Sequence, residues 1–574
     1  AGTSIANNAP TNYAVAGAAN AGGGGGAGTA SYLTVGVGDA TGYRTPGAVG
    51  GSGLVVVRYL GSSVGTGGSV TAGTGTATGY TLHTFSTTGS NTLTLNALAA
   101  TFSGTISGTG SLTAAPSAGG KFTFTQNNSY AGSTTLTSGT LKVGTGATSG
   151  SLGALTSNVI NNGTLIFNRS DTLNYSGLFS GTGALKVETG GITLSGGATY
   201  TGLTTLSSTT TPSSISFINN TVPSTSGFAG TGSVIIAPAS ASSFSSAFTP
   251  TYTFSTTLTN LALGSLSNTA NITLNNPIAI AGPITVDGGQ ININTSLQST
   301  LSGAGVALRA KTNIANTALA TLTTNGGNIL LASNVDDATD NDTTTNGYIR
   351  LDYGLNASSS GGNITIGGGN MLGTGYAMGS SSEAQTHGFR VDRAFTLNSA
   401  GGNIAIRGKS YAMSVQSGWG ASGVGFYFLN TDGLIDSGTG TILIDGYSQT
   451  SGSSYSSGIY SSSTFKITSA NTTANAIQLI GKSTGSGGDA WGFEFEGVFT
   501  ILATGTGGGI TLSTSQKGNV YEGVFRSEFD VLAKSGPITW ITKADADGVG
   551  GGYWYGPLSY WGSKSGTAVA TSSS

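Results

Sequence analysis

Asn325-Gly326-Gly327-Asn328-Ile329-Leu330-Leu331, Gly361-Gly362-Asn363-Ile364-Thr365-Ile366 and Gly401-Gly402-Asn403-Ile404-Ala405-Ile406 are three copies of one phrase. Gly440-Thr441-Ile442-Leu443-Ile444 and Gly508-Gly509-Ile510-Thr511-Leu512 continue it. The interval is roughly 30–40 residues, inside the range that marks solenoids and arrays. A companion strand precedes most copies: Gly388-Phe389-Arg390-Val391, Gly425-Phe426-Tyr427-Phe428, Gly458-Ile459-Tyr460, Gly492-Phe493-Glu494-Phe495 and Gly523-Val524-Phe525. Each phrase pairs a turn with a short strand. Glycine accepts positive φ, and Asn bonds neighbouring backbone. One such coil cannot bury its apolar face alone, but stacked coils build a continuous core. Stacked Asn residues at matching corners are expected to form amide ladders.

The rest of the chain reads the same way. Almost no segment carries helical periodicity. Short alternating runs such as Lys121-Phe122-Thr123-Phe124-Thr125 and Thr164-Leu165-Ile166-Phe167 stand between Gly, Asn and Ser, as strands do. The expected fold is all-β: a right-handed parallel β-helix with a glycine-rich N-terminal β segment. Five regions follow. Residues 1–60 are Gly/Ala-rich and end in a strand, and residues 61–100 form a short β segment. Residues 101–259 and 260–550 carry two repeat types, and residues 551–574 form an aromatic cap with a Ser/Thr tail.

Composition limits the functional classes. Charged residues make up 7% of the 574, against about 25% in ordinary globular domains. Hydrophobic residues still reach 37%, so the chain has core material that disordered segments lack. Net charge is −2, with no basic stripe for nucleic acid. No apolar run approaches the ~18–20 residues of a membrane-spanning helix. The sequence begins without Met or a signal peptide and reads as a processed chain or excised segment. Cysteine is absent, which reads either as chance avoidance in a low-complexity sequence or as an adaptation to export through an oxidising compartment.

Two resemblances rest on these residues. Phe179-Ser180-Gly181-Thr182-Gly183-Ala184-Leu185 recurs as Phe228-Ala229-Gly230-Thr231-Gly232-Ser233-Val234. Ser129-Tyr130-Ala131-Gly132-Ser133-Thr134-Thr135-Leu136 recurs as Thr199-Tyr200-Thr201-Gly202-Leu203-Thr204-Thr205-Leu206. This wording resembles the autotransporter-associated β-strand repeat of bacterial passenger regions. The Gly-Gly-Asn copies resemble filamentous-haemagglutinin-type repeats. The resemblance implies secretion to the bacterial surface and an adhesin or an extracellular fibre subunit, not an enzyme. Self-assembly and extracellular glycans are the implied partners. The alternative is a polysaccharide lyase or tailspike-like depolymerase, which also uses parallel β-helices. A row of Asp, Glu, Arg and Lys along one groove would favour that alternative, because fold alone does not choose.

Several residues stand out as candidate sites. Asp336, Asp337, Asp340 and Asp342 could wrap calcium as a cofactor, although the loop lacks EF-hand spacing. Asp545 and Asp547 form a weaker copy. Glu494 and Glu496 share one strand face, where they could act as acid and base, but with no basic partner evident they read as an exposed face alternating with buried Phe493 and Phe495. His83 and His387, the two histidines, have no second ligand nearby in sequence. Trp419 and Trp491 read as loop residues. Trp554, Tyr555 and Trp561 are candidates for ligand or assembly contact, with a cap over the last coil as the other reading. Leu54, Val55, Val56, Val57 and Tyr59 form an apolar strand suited to donation into a neighbouring copy, or to packing on its own chain.

Overall fold

The computed structural model describes the chain apart from residues 1–29, 32–42, 45–54, 61, 64, 86–91, 96–98, 118, 208–211, 337–346, 382–385, 413–422, 430–431, 450–455, 485–489, 517–520, 526–528, 545–552, 556–567 and 574. Strands take up 51% of the chain, and the described residues hold no α-helix. The all-β expectation therefore holds. The chain divides into two compact units, residues 1–215 with 223–226, and residues 216–222 with 227–574.

In the first unit, Val55–Leu60 pairs antiparallel with Tyr80–Phe85, which pairs on its other side with Ser69–Ala72. Beyond this sheet the pairing turns parallel. Ala99–Phe102, Lys121–Phe124, Thr140–Val143, Thr164–Tyr175 and Ala184–Leu194 stack in order. Phe102, Phe124, Val143, Phe167 and Val187 occupy one register position on successive strands, and all are buried. Side chains alternate faces along a strand, so identical register makes a continuous apolar column. A second parallel ladder runs through Thr92–Leu95, Ser111–Ala114, Thr134–Leu136, Val159–Asn161 and Phe179–Ser180.

The second unit repeats one circuit. Ile364–Gly368, Phe389–Val391 and Phe395–Asn398 each belong to a different sheet. The following circuit supplies Ile404–Lys409, Phe426–Phe428 and Gly433–Asp436, paired in parallel with those three in turn. The next supplies Ile442–Ser448, Ser456–Ser461 and Phe465–Ser469. Three long parallel sheets result, an arrangement compatible with a solenoid. Inward residues form aromatic stacks, among them Phe395 on Phe465 and Phe465 on Phe499, with ring centroids 6.4 and 5.4 Å apart.

The Gly-Gly-Asn phrase sits at the corner before the first sheet. Gly361 has φ +113°, a left-handed conformation that favours glycine. Gly362 is required for space: a Cβ there would lie 2.1 Å from the Gly327 carbonyl oxygen of the preceding circuit. Asn corners do stack, though not amide on amide. The backbone N–H of Asn363 donates to Asn328 Oδ1 at 2.9 Å, and that of Asn403 donates to Asn363 Oδ1 at 2.8 Å. Inside the corner, Ser399 Oγ donates to the Gly402 carbonyl at 2.5 Å and Ser437 Oγ to the Gly440 carbonyl at 2.6 Å. These serines are fully buried, so the bonds satisfy groups that water cannot reach.

Candidate functional site

A cluster of charged and aromatic side chains in the second unit lies on the outward face of its second sheet. Arg350, Arg390, Tyr427, Tyr460 and Glu494 fall on one register position of successive strands. Their strand neighbours Ile349, Phe389, Phe426, Ile459 and Phe493 point into the core. The two-residue period of a strand therefore places all five polar groups on the outer side.

Each arginine is held by the aspartate two residues on. Arg350 Nε bonds Asp352 Oδ1 at 2.7 Å. Arg390 grips Asp392 with two bonds, at 2.7 and 2.6 Å, the paired geometry that makes arginine–carboxylate contacts strong. The Arg390 guanidinium also lies 5.5 Å from the Tyr427 ring centroid. Tyr427 stacks on Tyr460 at 4.9 Å and on His387 at 4.2 Å, the latter pair parallel within 1°. The Tyr460 hydroxyl donates to Glu496 Oε2 at 2.8 Å, and Ser457 Oγ donates to Glu494 Oε2 at 2.7 Å.

Burial tunes these groups. It pushes the Tyr427 phenol up to about 12. Burial, with Glu496 alongside, also holds the Tyr460 phenol above its ordinary range. His387 is pushed down to about 3, first by burial and then by Arg390 and Arg350. Its Nδ1 accepts the backbone N–H of Val424 at 3.2 Å, which fixes a neutral ring with the proton on Nε2.

A second network lies on the outer face of the first sheet. The Tyr376 hydroxyl donates to Asp445 Oδ2 at 2.7 Å, and Lys482 Nζ reaches Tyr376 Oη at 3.2 Å and Asp445 at 3.4 Å. Lys409 lies over the Tyr447 ring, 5.4 Å from its centroid. The two sheets meet along a glycine seam. A Cβ on Gly458 would stand 2.4 Å from the Lys482 backbone nitrogen, and one on Gly425 2.1 Å from that of Tyr447, which explains why the companion strands open on glycine.

No family model, curated protein or solved structure matches this chain.

The sequence-predicted residues fall in different places. Glu494 is not on an exposed face: it is 2% exposed. An outward residue in a stacked sheet is flanked by its neighbouring rungs, and here the preceding rung, Ser456–Ser461, supplies both Ser457 and Tyr460. Basic groups do share its column, in Arg350 and Arg390. Trp491 belongs to the strand Ala490–Phe495 and is buried, not in a loop. His83 is buried, with Nδ1 2.8 Å from the Gly67 carbonyl oxygen. Of the Asp-rich loop only Asp336 is described; it is exposed and 3.3 Å from Lys311 Nζ. Asp337, Asp340 and Asp342 lie outside the described residues, as do Asp545, Asp547, Trp419, Trp561 and Leu54. Among the described residues no group of three or more His, Cys, Asp or Glu is placed to hold a metal, and no helix is long and apolar enough to cross a membrane. Trp554 and Tyr555 belong to Tyr553–Tyr555, the last strand of the second sheet. Val55, Val56, Val57 and Tyr59 lie on the edge strand paired with Tyr80–Phe85, where Val56 is 45% exposed.

The Arg-x-Asp pairs were present in the sequence as Arg350-Leu351-Asp352 and Arg390-Val391-Asp392. Opposite charges two apart on a strand share a face, and that signal marks this cluster.

Proposed function

We propose that the chain is part of a secreted bacterial surface adhesin or extracellular fibre, built as a right-handed parallel β-helix. The observation that carries this reading is how ionic groups are disposed. Arg169 pairs with Asp171, Arg309 with Asp287, Arg350 with Asp352, Arg390 with Asp392 and Lys142 with Glu188. Charges that neutralise one another along the rungs leave hydroxyls and amides as the working surface. Such a surface binds by repetition and area, as an adhesin or fibre does. The repeat wording points to the same class. Display of the chain on a non-adherent bacterium tests it: the displayed strain is expected to aggregate or adhere to extracellular matrix, and a strain that stays dispersed and unattached contradicts the reading. Assembly through the Val55–Leu60 edge belongs to the same proposal. Deleting residues 1–60 should remove higher-order particles from light scattering, and particles of unchanged size would refute that route.

A second reading is a polysaccharide-degrading β-helix. The column of Arg350, Arg390, Tyr427, Tyr460 and Glu494, with Glu496 beside it, favours it. Paired carboxylates are the working groups of glycoside hydrolysis. Release of oligosaccharide from capsular polysaccharide, abolished by both Glu494→Gln and Glu496→Gln, would support this reading. Absence of release across a capsule panel would set it aside.

A further inference from the structure

The outer face of the first sheet carries a groove of about 370 Å³, within the size range of ligand sites. Its floor is one register column, Thr285, Ala307, Leu330 and Thr365, on four successive strands. Asn328 and Asn363 form the rim, and Leu372 stands at its edge. No charged side chain lines the groove.

The lip that carries Leu372 is a built element. After Ile364–Gly368 the chain leaves the sheet and folds back over it. Gly368 and Gly375 exchange backbone hydrogen bonds at 3.0 and 2.9 Å. Asn370 organises the tip: its Oδ1 accepts the N–H of Leu372 at 2.9 Å, and its Nδ2 donates to Thr374 Oγ1 at 2.7 Å. At the base, Tyr376 is tied to Asp445 and Lys482 by the network described above. The turn nevertheless holds Leu372 71% exposed and Met371 45% exposed. The turn therefore presents two adjacent large apolar side chains beside the groove, open to contact.

We propose that this groove binds a neutral, extended oligosaccharide. The inference rests on the surface-binding reading above and gives it a ligand class. The apolar strip of Ala307, Leu330 and Leu372 fits the C–H face of a sugar ring. Thr285, Thr365 and the rim amides meet its hydroxyls. Asn328 Oδ1 and Asn363 Oδ1 are engaged by the next circuit, so their Nδ2 groups are the donors offered at the rim. A carboxylated sugar would enter a groove without a cation and lose solvation uncompensated. Rungs spaced ~4.8 Å apart along the stack give the floor an even spacing, which suits an extended chain of sugar units.

Isothermal titration of the full chain with neutral gluco-, galacto- and manno-hexasaccharides, and with hexagalacturonate, tests the proposal. At least one neutral hexasaccharide should bind, and hexagalacturonate should not. Ala307→Arg, which fills the floor from an outward rung position, should weaken binding about tenfold or more. Leu372→Ser, at the exposed tip, should weaken it by a smaller factor. Circular dichroism of each variant should match the parent. Failure of every neutral probe, equal binding of the acidic one, or parental affinity in Ala307→Arg would overturn the proposal. So would a Leu372→Ser variant that loses self-association while sugar binding is unchanged, which assigns the lip to contact between copies. Adhesion by the displayed chain is measured separately. A chain that adheres but binds no neutral hexasaccharide overturns this inference and leaves the surface-binding reading standing.

Discussion

His387 is held neutral between the Tyr427 ring and the Val424 amide, with Arg390 and Arg350 nearby. In an unfolded chain its pKa would return to about 6.5. Between pH 6.5 and about 3 the unfolded state therefore binds a proton that the folded state does not. Stability from this residue is complete above pH 6.5 and is lost progressively as pH falls through that window. His387→Gln removes the titrating group. The urea midpoint of the variant should fall less between pH 7 and pH 4.5 than that of the parent, and an equal fall would contradict the account. Little of this environment was legible in the sequence. A lone histidine shows neither its burial nor its stacking partner, because Tyr427 lies on another rung. The same holds for Glu494. Its strand face was readable from alternation with Phe493 and Phe495, but its burial depends on Ser457 and Tyr460, which stacking alone brings beside it.

At the scale of the element, the corner before the first sheet is the unit that repeats. Its Gly-Gly-Asn wording was readable, and so was the need for glycine. The sequence did not reveal that the two glycines have different tasks. Gly361 supplies a left-handed backbone, and Gly362 lets the carbonyl of the previous circuit approach. Gly362→Ala must push apart two rungs and should cost about 1–3 kcal/mol or more, as overpacking does. Asn363→Ala removes one exposed hydrogen bond between circuits and should cost about 1 kcal/mol. Denaturant unfolding of the two variants checks the order, and an Asn363→Ala variant less stable than Gly362→Ala would contradict it. The corner serines and the Leu372 lip escaped the reading for a common reason. Ser399 and Ser437 look like any polar turn residue until the carbonyls beside them are known. The lip reads as one more glycine-rich connection.

At the scale of the whole molecule, parallel pairing organises each of the two units from Ala99 onward. The all-β class was legible because strand-length apolar runs recur without helical periodicity. The antiparallel pairing of Val55–Leu60 with Tyr80–Phe85 was not, since an apolar strand carries no mark of its partner. The second unit consists of successive circuits, each contributing one strand to each of three sheets. Excision of residues 442–476 tests this most directly. It removes Ile442–Ser448, Ser456–Ser461 and Phe465–Ser469, one strand from every sheet, and brings the Ile404 and Ile477 rungs into register. Melting followed by circular dichroism should give a cooperative transition, with the β signal per residue of the parent. A shortened chain that is unfolded or aggregated, or that has lost its β signal, would contradict the stacked-circuit account.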